Sequence, residues 1–185
     1  MILYRVFDWD GRAKGREPNG PFFSPRHLQG PGRHDIPSRD GVLYASLSAV
    51  SAIAESIQTF KGQTLVDEDF VRSDGRRRAL AVFSLSDRIS LLDLRDPKVL
   101  AARHISPAHI TTREYAVTRQ LAMNLFDENV AGFLWISALM ASWTNASLFD
   151  SRVAAFLKLE EPPKPLTVGI PALRDAAKAM SVELD

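Results

Sequence analysis

Cysteine is missing altogether from the 185 residues. Disulfides, thiolate metal sites and a cysteine nucleophile are therefore excluded together. An excess of one charge is missing too: Lys+Arg 23 against Asp+Glu 22 leaves a formal charge of +1. That balance gives no electrostatic case for nucleic acid as an obligatory partner. The start, Met1-Ile2-Leu3-Tyr4-Arg5-Val6, has no long apolar stretch of the signal-peptide kind, so a cytoplasmic location is the expectation. There is no GxGxxG after a strand, no P-loop, no GxSxG elbow and no HExxH, which speaks against the usual Rossmann or Walker nucleotide sites and against the hydrolase and zinc-protease classes. No histidine is spaced to pair with Ser137 or Ser142 as in a serine hydrolase. His104 and His109 come without a matching carboxylate cluster, and no metal site is expected.

What is present is enough apolar residue, 45%, for one proper core. The uncharged stretch from Asn129 to Phe149 is long enough to span a bilayer. It contains Ser137, Ser142, Thr144, Asn145 and Ser147 and has no basic flank, so it reads as a buried strand followed by a packed helix or turn. No membrane association is expected.

Taken in order, Leu3 to Phe7 predicts a short strand. Asp10 to Asp40 is dense in Gly and Pro, shows no period, and carries Phe22-Phe23, Arg26 and Arg33. A loop of that length reads as an ordered binding loop. Val42-Leu43-Tyr44 predicts a strand running into a helix capped by Ser46 or Ser48. On that helix Ile53, Ala54 and Ile57 cluster around Val50, while Glu55 lies about 140° away on a face of small side chains. The arginine-rich Arg72 to Arg78, with its Asp-Gly, predicts a polar turn. Ala79 to Leu85 and Ile89 to Leu94 predict two strands, and Asp96-Pro97 opens a short helix. Thr111-Thr112-Arg113-Glu114 has capping-box spacing, with Thr111 as cap and Glu114 reaching back. Val130 to Ser137 and Thr144 to Phe149 predict further strands. The Pro-rich Glu160 to Pro165 reads as a stiff linker leading to an amphipathic helix, Ala172 to Met180. The class is mixed α/β (α+β), with a domain over 1–160 and a linker and helix over 161–185.

The ordered set Arg5, Arg33, Tyr44, Glu55 and Ser137 resembles the RES domain family. The pieces that carry it are Leu3-Tyr4-Arg5-Val6, Gly32-Arg33-His34-Asp35, Val42-Leu43-Tyr44-Ala45-Ser46 and Ala52-Ile53-Ala54-Glu55. Gly132 to Ser137 and Asn145 to Phe149 complete it, and the Arg33–Tyr44 and Tyr44–Glu55 intervals are equal. Two places depart from the family: His34-Asp35 stand for an aromatic followed by Asn, and Trp135-Ile136 for Tyr-Pro. Ser142 is an alternative to Ser137 as the family serine.

The resemblance implies an ADP-ribosyltransferase-like fold of mixed sheets and flanking helices. It implies a glycosyltransferase of toxin–antitoxin systems that breaks the nicotinamide–ribose bond of NAD, its substrate rather than a cofactor. The acceptor would be inorganic phosphate or water, and the partner an Xre-type antitoxin. In this sequence the catalytic residues would be Glu55, Arg5 and Ser137, and NAD would be held by Arg5, Arg33, Tyr44, Ser46 and Ser137. The chemistry fits these types. A carboxylate can stabilise an oxocarbenium-like ribose, forked guanidinium groups suit a diphosphate, and an aromatic face suits nicotinamide. Two rival functions are a mono-ADP-ribosyltransferase acting on a cellular protein and a non-catalytic partner-binding module.

Overall fold

Ten strands and six α-helices follow one another along residues 1–185, all described by the computed structural model. In chain order they are β1 Ile2–Trp9, β2 Val42–Ser46, α1 Ala49–Ile57, β3 Thr64–Leu65, β4 Arg77–Leu85, β5 Leu92–Asp93, α2 Pro97–Ala102 and α3 Pro107–Thr111. Then come α4 Tyr115–Asp127, β6 Gly132–Ile136, β7 Thr144–Phe149, α5 Asp150–Val153, β8 Leu157–Leu159, β9 Lys164–Pro165, α6 Pro171–Met180 and β10 Glu183–Leu184. The class is mixed, with parallel and antiparallel strand pairs and flanking helices. No helix is long and apolar enough to cross a membrane.

The chain divides into two compact units with interleaved segments. The first holds Met1, Ser24–Ala45 and Leu85–Lys158. Its strand order is β5-β6-β7-β2. The long uncharged stretch is a hairpin: β6 and β7 pair antiparallel from Gly132↔Leu148 to Ile136↔Thr144. Strand alternation then puts Phe133, Trp135, Asn145 and Ser147 on one face. That face is packed in a core with Ile36, Val42, Leu94, Leu100, Ile110, Ala122, Leu125 and Phe149. Ile89 to Leu94 yields only the two-residue β5, which lies parallel to β6 through Leu92↔Phe133 and Asp93↔Leu134. Asp96 caps α2 by accepting from Lys98 N–H at 2.8 Å, with Pro97 in the first turn.

The capping-box reading at Thr111 is corrected. Pro107 opens α3, which runs through Thr111, so that residue ends one helix instead of starting the next. Helix α4 begins at Tyr115 with Glu114 at the cap position and no side-chain cap bond; Thr112 Oγ1 accepts from Glu114 N–H at 3.1 Å.

The loop segment Ser24–Asp40 is ordered by its own polar groups. Arg26 forks onto the Pro37 carbonyl at 2.9 and 3.1 Å. The Gln29 amide bonds both backbone groups of Val42 at 2.9 Å, acting as a one-residue strand. Asp40 accepts from Ser151 N–H and Oγ–H at 3.0 and 2.7 Å. Where the loop meets β2, a Cβ on Gly41 would fall 2.1 Å from the Ser24 carbonyl oxygen, so only glycine fits there.

The second unit comprises Ile2–Phe23, Ser46–Ser84 and Leu159–Asp185. In it β1 and β4 pair antiparallel over their full length, from Ile2↔Ser84 to Trp9↔Arg77. Ser46 faces Tyr4 across β1. Ser48 is the cap of α1, accepting from Ser51 N–H at 3.1 Å. The helix buries Ala52, Ile53, Ala54 and Ile57, which sets its apolar side against β1 and α6. The Pro-rich stretch supplies β9, paired with β4 through Ala79↔Pro165 and Leu80↔Lys164. Helix α6 buries Leu173, Ala176 and Ala177, and β10 lies parallel to β3.

Candidate functional site

In the first unit the Gly30–Asp35 turn is built around one carboxylate. Asp35 is 4% exposed, and its Oδ2 accepts from the N–H groups of Gly30 and Gly32, both at 2.7 Å. Its Oδ1 accepts the Tyr44 hydroxyl proton at 2.7 Å. The Tyr44 oxygen in turn accepts from His34 N–H at 2.8 Å. Burial, with the Asp35 charge and hydrogen bond behind it, pushes the Tyr44 phenol well above its ordinary pKa. Tyr44 is thus a fixed neutral ring, with its hydroxyl committed in both directions.

Helix α4 grips the same turn from one face. Tyr115, Thr118 and Arg119 stand at i, i+3 and i+4. Thr118 Oγ1 donates to the Arg33 carbonyl and Arg119 Nε to the Gly32 carbonyl at 2.9 Å. The half-buried Arg33 guanidinium lies 5.1 Å from the Tyr115 ring centre and 5.5 Å from that of Trp135. One terminal nitrogen, Nη1, donates to the carbonyls of Thr112 and Ile110. Nε and Nη2 have no protein partner. A planar cation so held presents two parallel donors, the pattern that suits a phosphate or carboxylate.

His34, between these residues, is fully buried, and its ring meets Phe133 and Trp135 edge-on with centroids 4.9 Å away. Nδ1 lies 2.8 Å from Ser147 Oγ, which also accepts from Trp135 Nε1–H at 3.1 Å. Burial first, then the neighbouring Arg33 charge, holds the imidazole well below its ordinary pKa, so it is neutral. Ser137 follows β6 directly, 3% exposed, its Oγ accepting from Leu139 N–H at 3.1 Å. Ser142 lies exposed in the β6–β7 turn.

In the second unit stand Arg5, Ser46 and Glu55. Arg5 donates from both terminal nitrogens, to the carbonyls of Pro21 and Phe23, each at 3.0 Å. Its fork therefore fastens the Gly-Pro-rich segment, and Phe22 beside it enters the core edge-on to Phe83 at 5.3 Å. Ser46 ends β2 and is 3% exposed. Glu55 is half-buried on α1, its Oε2 accepting from Gln58 Nε2–H at 3.3 Å. Arg72, Arg78, Asp8 and Ser56 line a separate concavity of this unit. There Arg72 Nε bonds Asp8 at 3.0 Å and Arg78 Nη1 bonds the Ser56 carbonyl at 2.7 Å.

The structure thus groups Arg33, Tyr44 and Ser137 in one unit and Arg5, Ser46 and Glu55 in the other. Asp35 and Trp135 were read from sequence only as departures within the family motifs, and Ser147's bonds and the α4 face were not read as parts of the site. Only the α4 spacing carried a usable signal. No group of His, Asp and Glu is placed to hold a metal ion.

No curated protein sequence matches the chain. Among solved structures, the fold is similar to one in the crystal structure of the M. tuberculosis MbcT–MbcA toxin–antitoxin complex. The TM-score is 0.60 at 15% identity, covering 90% of this chain and 84% of that one. The RES domain family model matches residues 2–170, most of the sequence. The chain belongs to the RES domain family.

Proposed function

We propose that the chain is the toxin of a toxin–antitoxin pair and consumes cytoplasmic NAD. It breaks the nicotinamide–ribose bond and passes ADP-ribose to phosphate or water. The observation that carries the reading is Arg33, a guanidinium supported on two aromatic rings with Nε and Nη2 left for an anion. Family membership and the likeness in fold to a toxin–antitoxin complex support it.

The reaction asks little acid chemistry of the protein. Nicotinamide leaves as a neutral molecule, while positive charge develops on the ribose. Glu55 supplies the opposing charge and accepts from a ribose hydroxyl, an interaction that strengthens as the bond breaks. Arg33 takes diphosphate oxygens. Tyr44 works through its ring face, because its hydroxyl is spent on Asp35 and His34. Arg5 contributes its charge and shapes the loop whose carbonyls it holds. Ser46 and Ser137 orient hydroxyl groups. An Xre-type antitoxin is the proposed inhibitor.

The test is nicotinamide release from NAD by purified protein freed of antitoxin, with and without phosphate. Release that requires phosphate indicates phosphorolysis, and release in both conditions hydrolysis. Intact NAD in both removes the proposal. Labelled NAD in lysate separates it from protein modification, which would leave label on a protein.

A further inference from the structure

His34 sits where the family pattern has an aromatic, and its ring is the wedge between two supports of the Arg33–Tyr44 pair. On one side it lies nearly parallel to Tyr44, with centroids 6.3 Å apart and planes at 21°. On the other it packs edge-on against Trp135, the ring beneath Arg33. Its own N–H carries the hydrogen bond that the Tyr44 hydroxyl accepts.

Hydrogen-bond accounting favours one tautomer. Ser147 Oγ accepts from Trp135 Nε1–H, and its only other contact is His34 Nδ1. If Nδ1 carried the proton, the serine hydroxyl proton would have no acceptor and Nε2 would be a bare lone pair. If Ser147 donates to Nδ1, the single unpaired group is Nε2–H. The second arrangement leaves fewer buried groups unpaired and is favoured. Trp135, Ser147 and His34 thus form one directed chain, indole N–H to serine oxygen and serine O–H to imidazole nitrogen.

We propose that His34 is a positioning residue for substrate binding: held by Ser147, its ring sets the placement of Tyr44 and of the Trp135 surface that carries Arg33. The inference rests on the NAD reading. Without the ring, or without the bond that holds it, Tyr44 and Trp135 lose their spacing, which weakens NAD binding while leaving the bond-breaking charge of Glu55 in place.

The experiment is steady-state nicotinamide release against NAD concentration, per folded enzyme, with Tm recorded for each variant. His34→Leu is expected to raise KM about 5-fold or more at kcat within about twofold, the signature of lost uniform binding. His34→Asn keeps an acceptor for Ser147 but loses the ring, and is expected to raise KM by less than half as much as His34→Leu. Ser147→Ala, milder for folding, is expected to raise KM in the same direction and to add little to His34→Leu in the double variant. A purely structural role would lower Tm and kcat at constant KM, or leave Asn as damaged as Leu; either result overturns the proposal. Wild-type protein that neither binds nor cleaves NAD would end the underlying reading. Active wild type with unchanged KM in His34→Leu and Ser147→Ala would end this inference alone.

Discussion

Replacing Asp35 by alanine removes the one acceptor shared by Gly30 N–H, Gly32 N–H and the Tyr44 hydroxyl, each at 2.7 Å. The two glycines are half-exposed, so water takes over part of their role; each loss is worth about 0.5–1.5 kcal/mol. The Tyr44 hydroxyl is sequestered, and leaving it unpaired costs about 1–3 kcal/mol. Against this, the variant no longer desolvates a carboxylate, which favours the lower half of the sum, about 2–4 kcal/mol. For a chain of this length each kcal/mol moves Tm by roughly 2–4 °C, so Asp35→Ala is expected to melt about 4–16 °C below wild type. Tyr44→Phe loses one of these three bonds and also strands the buried His34 N–H, so it too should melt several degrees below wild type. Differential scanning calorimetry decides. A shift under about 2 °C for Asp35→Ala would refute the picture of a turn organised by one carboxylate.

Gly32→Ala places a Cβ 2.5–2.7 Å from the Asp35 carboxylate atoms, so that group must leave its donors. We expect a loss of about 1–3 kcal/mol in urea unfolding, shrinking markedly in an Asp35→Ala background because the two share partners. His34, neutral when folded, gains a proton on unfolding below about pH 6.5. The unfolded state therefore binds more protons in that range, and stability should fall as pH drops from about 6.5 towards the lower folded value, by up to ~1.4 kcal/mol per pH unit. His34→Asn should remove that slope in Tm measured between pH 5 and 7.5, and an unchanged slope would contradict the assignment. Glu55→Gln should keep the fold and lose at least about 100-fold in nicotinamide release; near-wild-type turnover would remove Glu55 from its role.

Local signals were legible in the chain where one residue type has one job. Ser48 before an apolar-periodic run, Asp96 before Pro97 and the alternating β6 and β7 segments each fold as their chemistry dictates. The start of α4 was misread because two overlapping signals competed, and the proline at 107 won Thr111 for the preceding helix. The partner of β5 was not legible, since a two-residue strand leaves no period to read. Of the candidate site, Arg33, Tyr44 and Glu55 were nominated through the family resemblance, and the bonds that hold them were not legible. Ser147 lies 113 positions from His34 and Thr118 lies 85 from the carbonyl it binds. Such pairs are made by packing β7 and α4 around a turn, not by any spacing along the sequence. The bonds from Arg5 to the carbonyls of Pro21 and Phe23 were likewise not legible, since they close across 16 and 18 positions of an aperiodic loop.

The tight junction of Ser24 with Gly41 bears on how freely this region can drift. A library randomised across the loop and selected only for folded product should return glycine at 41 almost without exception, because even alanine would collide with a main-chain oxygen at 2.1 Å. Leu28, at 66% exposure a few residues away, should accept nearly anything. Tolerance along this ribbon would thus alternate between rigid and permissive sites, tracking what each backbone atom touches and not how irregular the loop looks.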